Sequence, residues 1–190
     1  MIQTILLSIT SFIGTNIDDL FIDMLFFSEA RTKADRIGIV LGKYLGIGIL
    51  TLISILGACG LQILPQRYIS YLGLVPICLG IREIVRLIRD KEDDDEEDTA
   101  PRSANMVMNV ALITIASGAD NIGVYIPLFA GFTIAQISMA VGIFSVCIAV
   151  WCLLGKSLAD LPVLRTFLTK YKSVIVPAVY IALGGYLLLG

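Results

Sequence analysis

The sequence contains no histidine among its 190 residues. This absence excludes histidine-based catalysis, histidine proton relays and histidine metal ligands. Charged residues make up only 16% of the chain, whereas 57% are hydrophobic, compared with about 45–50% in a soluble domain. The four cysteines lie in apolar stretches without a CxxC pair, so they are either small buried hydrophobes or, alternatively, thiol ligands for a soft metal. The composition favours an integral membrane protein.

Apolar runs recur along the chain, and six of them are about long enough to cross a bilayer. These predicted spans cover residues 2–28, 37–61, 68–89, 105–130, 134–155 and 173–189. We therefore expect an all-α integral membrane protein that contacts the lipid bilayer and does not bind nucleic acid.

The basic residues predict how the chain is oriented in the membrane. The apolar part of the third span ends near Ile81. Counted from there, twelve of the fourteen basic residues lie between spans one and two, three and four, or five and six, and the exceptions are Lys43 and Arg67. Loops rich in lysine and arginine stay in the cytoplasm. Both termini are therefore expected outside the cytoplasm, with the protein multi-pass in the cytoplasmic membrane.

The chain contains a short internal repeat. TNIDDLFIDMLFF at 15–27 aligns with SGADNIGVYIPLF at 117–129 at a constant offset of 102, and in both copies a hydroxyl precedes an aspartate by three residues.

The acidic run DKEDDDEED at 90–98 lies between the copies, as a solvated linker or alternatively a weak cation-gathering site. We predict a first three-helix repeat at 1–89, a cytoplasmic linker at 90–104 and a second repeat at 105–190. Three spans per repeat require inverted orientations, as in many secondary transporters.

Four aspartates, Asp18, Asp19, Asp23 and Asp120, lie within predicted spans. Each would cost about 2.5–3.5 kcal/mol at the centre of a membrane helix, so we expect them to face a protein interior or a water-filled cavity. Lys43 is the one base expected near mid-membrane. This excess of negative charge favours a cation as the ligand over an anion or an amino acid.

Helix-weakening residues flank these aspartates: Gly14 in the first copy, and Gly118, Gly123 and Pro127 in the second. We therefore predict that helices 1 and 4 are interrupted near mid-membrane, which would expose backbone carbonyls to a cation.

If these two helices cross, their polar residues converge in an oxygen-rich site suited to a divalent cation. The predicted metal ligands are Asp18, Asp120, Asp19, Asn121 and Asn16. The alternative for both asparagines is hydrogen bonding between helices.

A secondary set of residues is predicted along the path of the metal or of protons: Asp23, Thr15, Ser117 and Lys43. The alternatives are an ion pair between Asp23 and Lys43, and hydroxyls that bond back to their own helices. Because a carboxylate can exchange a bound proton for a metal ion, proton-coupled exchange is possible without histidine.

Four motifs resemble a known family: TNIDDL at 15–20, GKYLG at 42–46, LGLVPICLGI at 72–81 and GADNIGVYIPLF at 118–129. The chain is similar to the CadD-type cadmium resistance transporters, a branch of the LysE superfamily. The resemblance implies a six-span efflux protein of the bacterial cytoplasmic membrane, with Cd²⁺ as substrate and no cofactor. Matched by motif, Asp18 and Asp120 become the leading transport-site residues, with Asp19, Asn16 and Asn121 nearby.

Other functions remain open at this point. The scaffold could export Mn²⁺, Zn²⁺ or Ca²⁺ instead of Cd²⁺. An intramembrane aspartyl protease would pair Asp18 with Asp120, but its YD and GxGD signatures are absent, so we do not expect an enzyme. A passive channel is disfavoured by repeated halves with interrupted helices. A homodimer is a further possibility.

Overall fold

The computed structural model describes residues 1–17, 19–61, 74–75, 77–78, 81, 84–85, 106–160, 177–178, 181–182, 185–186 and 188. Within these ranges the chain is helical and contains no strand, which confirms the all-α class. The helices are α1 (Ile2–Asn16), α2 (Asp19–Glu29), α3 (Lys33–Leu61), α4 (Met106–Ser117), α5 (Ala119–Ala130) and α6 (Ile134–Asp160). Asp18, the acidic linker and most of the predicted third and sixth spans lie outside the described residues.

Two helices are long and apolar enough to cross a membrane unaided, at Lys33–Gly60 and Ile134–Asp160. They correspond to the predicted second and fifth spans and extend several residues beyond them. The pairs α1–α2 and α4–α5 also qualify if each is one broken span, and they bend by 62° and 71°. The part of the chain that the structure describes therefore holds two to four candidate spans, and each bent pair breaks beside one copy of the repeated polar motif.

The second interruption falls at Gly118, which directly precedes α5. A Cβ atom there would overlap Leu50 Cδ1 and would lie 2.9 Å from the main-chain Thr114 O, so a larger residue would require the Leu50 side chain and the end of α4 to shift. Gly123 and Pro127, which the sequence also suggested as weak points, lie inside α5 instead. The first interruption follows Asn16 rather than Gly14, which remains within α1.

Helix α3 packs against α4 and α5, while α6 packs against α1 and α2. The α3–α4 contact follows glycines at four-residue intervals, Gly38, Gly42 and Gly46. A Cβ on Gly42 would lie 2.6 Å from Val107 O, and one on Gly46 would lie 2.7 Å from Thr114 Cβ. Small residues at this spacing let membrane helices approach closely. We call these three residues the glycine seam.

Five aromatic side chains form a ring cluster where α1, α5 and α6 meet: Phe12, Tyr125, Phe129, Phe144 and Trp151. The ring centroids of Tyr125 and Phe144 are 4.7 Å apart, and those of Phe12 and Trp151 are 5.3 Å apart and edge-on. All five side chains are buried. The cluster joins the first broken pair to the second.

Candidate metal site

The break in the first pair places two carboxylates opposite a lysine. Asp19 and Asp23 lie one turn apart on α2, so they share a face. Lys43 Nζ, on α3, lies 2.7 Å from Asp19 Oδ2 and 3.2 Å from Asp23 Oδ1. The lysine is 0% exposed and the aspartates are 5% and 0% exposed. We call these three residues the carboxylate–lysine cluster, and its net formal charge is −1.

The two carboxylates of this cluster differ in their partners. Asp19 Oδ1 also accepts a hydrogen bond from Ser117 Oγ at 3.3 Å, so Asp19 connects α2 to both α3 and α4. Asp23 Oδ1 has the Lys43 ammonium at 3.2 Å as its ion-pair partner, whereas Asp23 Oδ2 has no hydrogen-bond partner among the residues that the structure describes. Behind Asp23, α6 approaches so closely that a Cβ on Gly155 would lie 2.8 Å from Asp23 Cβ. The Asp23 carboxylate is thus sealed from solvent but incompletely bonded.

A second, uncharged polar cluster lies at the end of α1. Asn16 Nδ2 donates to Tyr125 OH at 2.9 Å and to Thr15 Oγ1 at 2.8 Å. The hydroxyls of Thr15 and Tyr125 are 2.9 Å apart. Trp151 Nε1 donates to the main-chain carbonyl of Asn16 at 2.7 Å and so ties the end of α1 to α6. The cluster joins α1 to α5 across the two halves of the chain.

The second break presents Asp120 and Asn121 in the first turn of α5. Asp120 is partly buried, and its Oδ1 accepts the main-chain N–H of Asn121 at 2.9 Å. Asn121 is 1% exposed, yet neither end of its amide has a hydrogen-bond partner within the described ranges, and the same holds for Asn16 Oδ1. An unsatisfied buried polar group costs about 1–3 kcal/mol. Such groups call for an explanation, and a bound water or ion is one.

The predicted site residues thus fall into more than one group. One group is held by ion pairs and a hydrogen bond and contains Asp19, Asp23, Lys43 and Ser117. The other is held by hydrogen bonds to Tyr125 and contains Thr15 and Asn16. Thr15 and Ser117 also bond back to carbonyls of their own helices.

Some of the predicted ligand set lies beyond these contacts. The proposed convergence of Asp18 with Asp120 falls outside the described residues, because Asp18 is not among them. Among the residues that are described, no three His, Cys, Asp or Glu side chains are grouped to hold a metal ion. The ligand set therefore stays a prediction.

Tyr125 was not predicted from the sequence, although it carries the contact between α1 and α5. It follows Asn121 by four residues on α5, so the two share a face. Its hydroxyl is fully buried within the ring cluster. A tyrosine one turn after a polar motif was the available signal, because a buried tyrosine hydroxyl usually has a hydrogen-bond partner.

A comparison with protein families gives one match. A family model described as cadmium resistance transporter matches residues 12–190, nearly the whole chain and both polar clusters. No curated protein and no solved structure matches the chain.

Proposed function

The chain belongs to the cadmium resistance transporter family, and we propose that it exports Cd²⁺ across the bacterial cytoplasmic membrane in exchange for protons. Membership supports metal-ion export by a membrane protein. The observation that carries the proposed mechanism is the group of buried carboxylates beside a broken membrane helix, Asp19 and Asp23. Buried intramembrane carboxylates are typical of ion pathways and proton relays.

The two broken pairs support the inverted-repeat architecture. α1 ends at Asn16 and α4 at Ser117, positions that agree to within one residue after the offset of 102. α2 and α5 begin at Asp19 and Ala119, which agree to within two. We propose six spans in two inverted triplets, with both termini outside the cytoplasm, as the distribution of basic residues indicates.

The proposed ligands are Asp18 and Asp120, with Asp19, Asn16 and Asn121 beside them. The orphaned amide atoms of Asn16 and Asn121 support this set, because a bound cation would satisfy their oxygens. Since carboxylate and amide oxygens are hard ligands, Mn²⁺, Zn²⁺ and Ca²⁺ are the alternative substrates. Cys152 is the buried cysteine of the four and the first candidate for a soft ligand to Cd²⁺.

The test is metal uptake into inverted membrane vesicles, with and without an imposed pH gradient. Cd²⁺ uptake that depends on the gradient is expected from the wild type. Asp18→Asn and Asp120→Asn should each reduce it to background, because either change removes a charged ligand. The exposed Asp160 on α6 offers a matched control, and Asp160→Asn should transport normally.

Three outcomes would each change the proposal. Normal uptake by well-expressed Asp18→Asn and Asp120→Asn proteins would refute the ligand assignment. Uptake that is indifferent to the gradient would refute proton exchange. Uptake of Mn²⁺, Zn²⁺ or Ca²⁺ in place of Cd²⁺ would reassign the substrate.

A further inference from the structure

We propose that the Lys43 ammonium is a built-in counter-cation that holds the place of the transported metal between Asp19 and Asp23 and returns there to release it. This inference rests on the proposed function and makes the cluster, on the secondary path, a second position for the metal beside the proposed ligands Asp18 and Asp120. Lys43 Nζ lies 2.7 Å and 3.2 Å from the two carboxylates, so the ammonium occupies a position from which a cation contacts both. A divalent ion that binds both carboxylates must therefore displace the ammonium.

The hydrogen bonding of Asp19 and Asp23 fits Lys43 as a displaceable counter-ion better than as a permanent structural ion-pair partner. A stable buried ion pair needs further hydrogen bonds to satisfy its remaining lone pairs. Asp19 has such a bond from Ser117, but Asp23 has Lys43 beside only one of its oxygens, and its Oδ2 lacks a hydrogen bond among the described residues. Asp23 thus retains capacity to bind a cation while the lysine neutralises part of its charge.

The charges favour exchange in both directions. With the ammonium in place, the two carboxylates and one lysine carry −1. With a divalent ion in its place, the two carboxylates and the metal sum to zero, and the displaced Lys43 ammonium brings the total to +1. Metal binding therefore neutralises the pair more fully than Lys43 does, while the returning ammonium competes with the metal and prevents it from being trapped.

The main chain around Lys43 is held in place, so displacement must occur through the side chain. Gly42 is in close contact with α4, where a Cβ would lie 2.6 Å from Val107 O. Tyr44 OH donates to Ser145 O of α6 at 2.7 Å. Between these anchors the lysine retains a flexible four-carbon stem that can move its ammonium by rotation.

The experiment measures Cd²⁺ binding to the purified full-length protein in lipid nanodiscs, together with uptake into vesicles. Lys43→Gln should lower the Kd for Cd²⁺ by about tenfold or more, because close charge pairs in desolvated sites couple strongly. Its maximal uptake rate should fall, because release is slowed. Lys43→Arg keeps the charge and should bind Cd²⁺ close to the wild-type affinity. The exposed Lys33 at the start of the same helix provides the control variant Lys33→Gln, with unchanged binding.

Unchanged or weaker binding by folded Lys43→Gln protein, beside normal wild-type binding and uptake, would overturn this inference and leave the proposed function intact. Absence of Cd²⁺ binding from the wild type would overturn both. Should Lys43→Gln fail to fold, Asp23→Asn is compared with the double variant Asp23→Asn/Lys43→Gln, which keeps the wild-type charge of −1. The inference requires tighter binding by the double variant, and equal binding refutes it.

Discussion

Adding one methyl group to the glycine seam tests the packing that holds Lys43 in position. Gly42→Ala would place a Cβ 2.6 Å from Val107 O and 2.7 Å from Val110 Cβ. Because Val107 O belongs to the main chain, it cannot rotate away, and α3 and α4 must separate. Gly48 lies on the same helix, and a Cβ added there would have no atom within 4 Å, so Gly48→Ala is the matched control.

The magnitudes follow from two opposing effects. Replacing a helical glycine with alanine gains about 1 kcal/mol in helix propensity. Overpacking a close contact costs about 1–3 kcal/mol. Gly48→Ala should therefore be neutral or stabilising, and Gly42→Ala should be less stable than Gly48→Ala by about the overpacking cost, ~1–3 kcal/mol.

Thermal unfolding of the purified proteins in detergent measures this difference. Trp151 is the one tryptophan in the sequence and is buried, so its fluorescence reports loss of the fold. The expected order of melting temperatures is Gly48→Ala at or above the wild type, and Gly42→Ala below Gly48→Ala. A Gly42→Ala protein that melts as high as Gly48→Ala would refute the close α3–α4 contact.

Two further substitutions test contacts of the polar clusters. Gly155→Ala should push Asp23 away from α6 and reduce Cd²⁺ uptake, and it should be less stable than Gly142→Ala by about 1–3 kcal/mol. Gly142→Ala is on the same helix, has no atom within 4 Å of the added group, and should leave uptake unchanged. Equal uptake by these two variants would contradict the contact. Tyr125→Phe should lower stability by only about 1–3 kcal/mol, because its two hydrogen-bond partners on α1 also bond to carbonyls of their own helix. Loss of Cd²⁺ binding in Tyr125→Phe would instead make its hydroxyl part of the ligand set.

The sequence was sufficient to predict the broken spans. An aspartate is too costly to face lipid, and a repeated polar motif preceded by a hydroxyl marked the same point in both halves. The structure places the breaks beside these motifs, after Asn16 and at Gly118. The sequence could not choose among several glycines, because the deciding fact at Gly118 is contact with Leu50, a residue on another helix.

The grouping of the polar residues was harder to predict. Helical spacing placed Asp19 and Asp23 on one face, but it could not show that one lysine contacts both of them. That contact depends on how α3 crosses α2, which in turn depends on the glycine seam against α4. The four-residue spacing of Gly38, Gly42 and Gly46 was visible in the sequence and would have predicted the close crossing.

The ring cluster also bears on how the membrane stays sealed. A protein with ionisable groups inside the bilayer can admit a continuous chain of water molecules. Protons would leak along such a chain and dissipate the proton gradient across the membrane. Phe12, Phe144 and Trp151 pack their rings against one another on the α1 side of the first break, in tilted and edge-on contacts, and these apolar faces offer water few hydrogen-bonding groups. Because these rings belong to α1 and α6, parting them requires helices from both halves of the chain to move. Opening a path between these rings therefore requires α1 and α6 to separate, and rotation of one side chain is not enough.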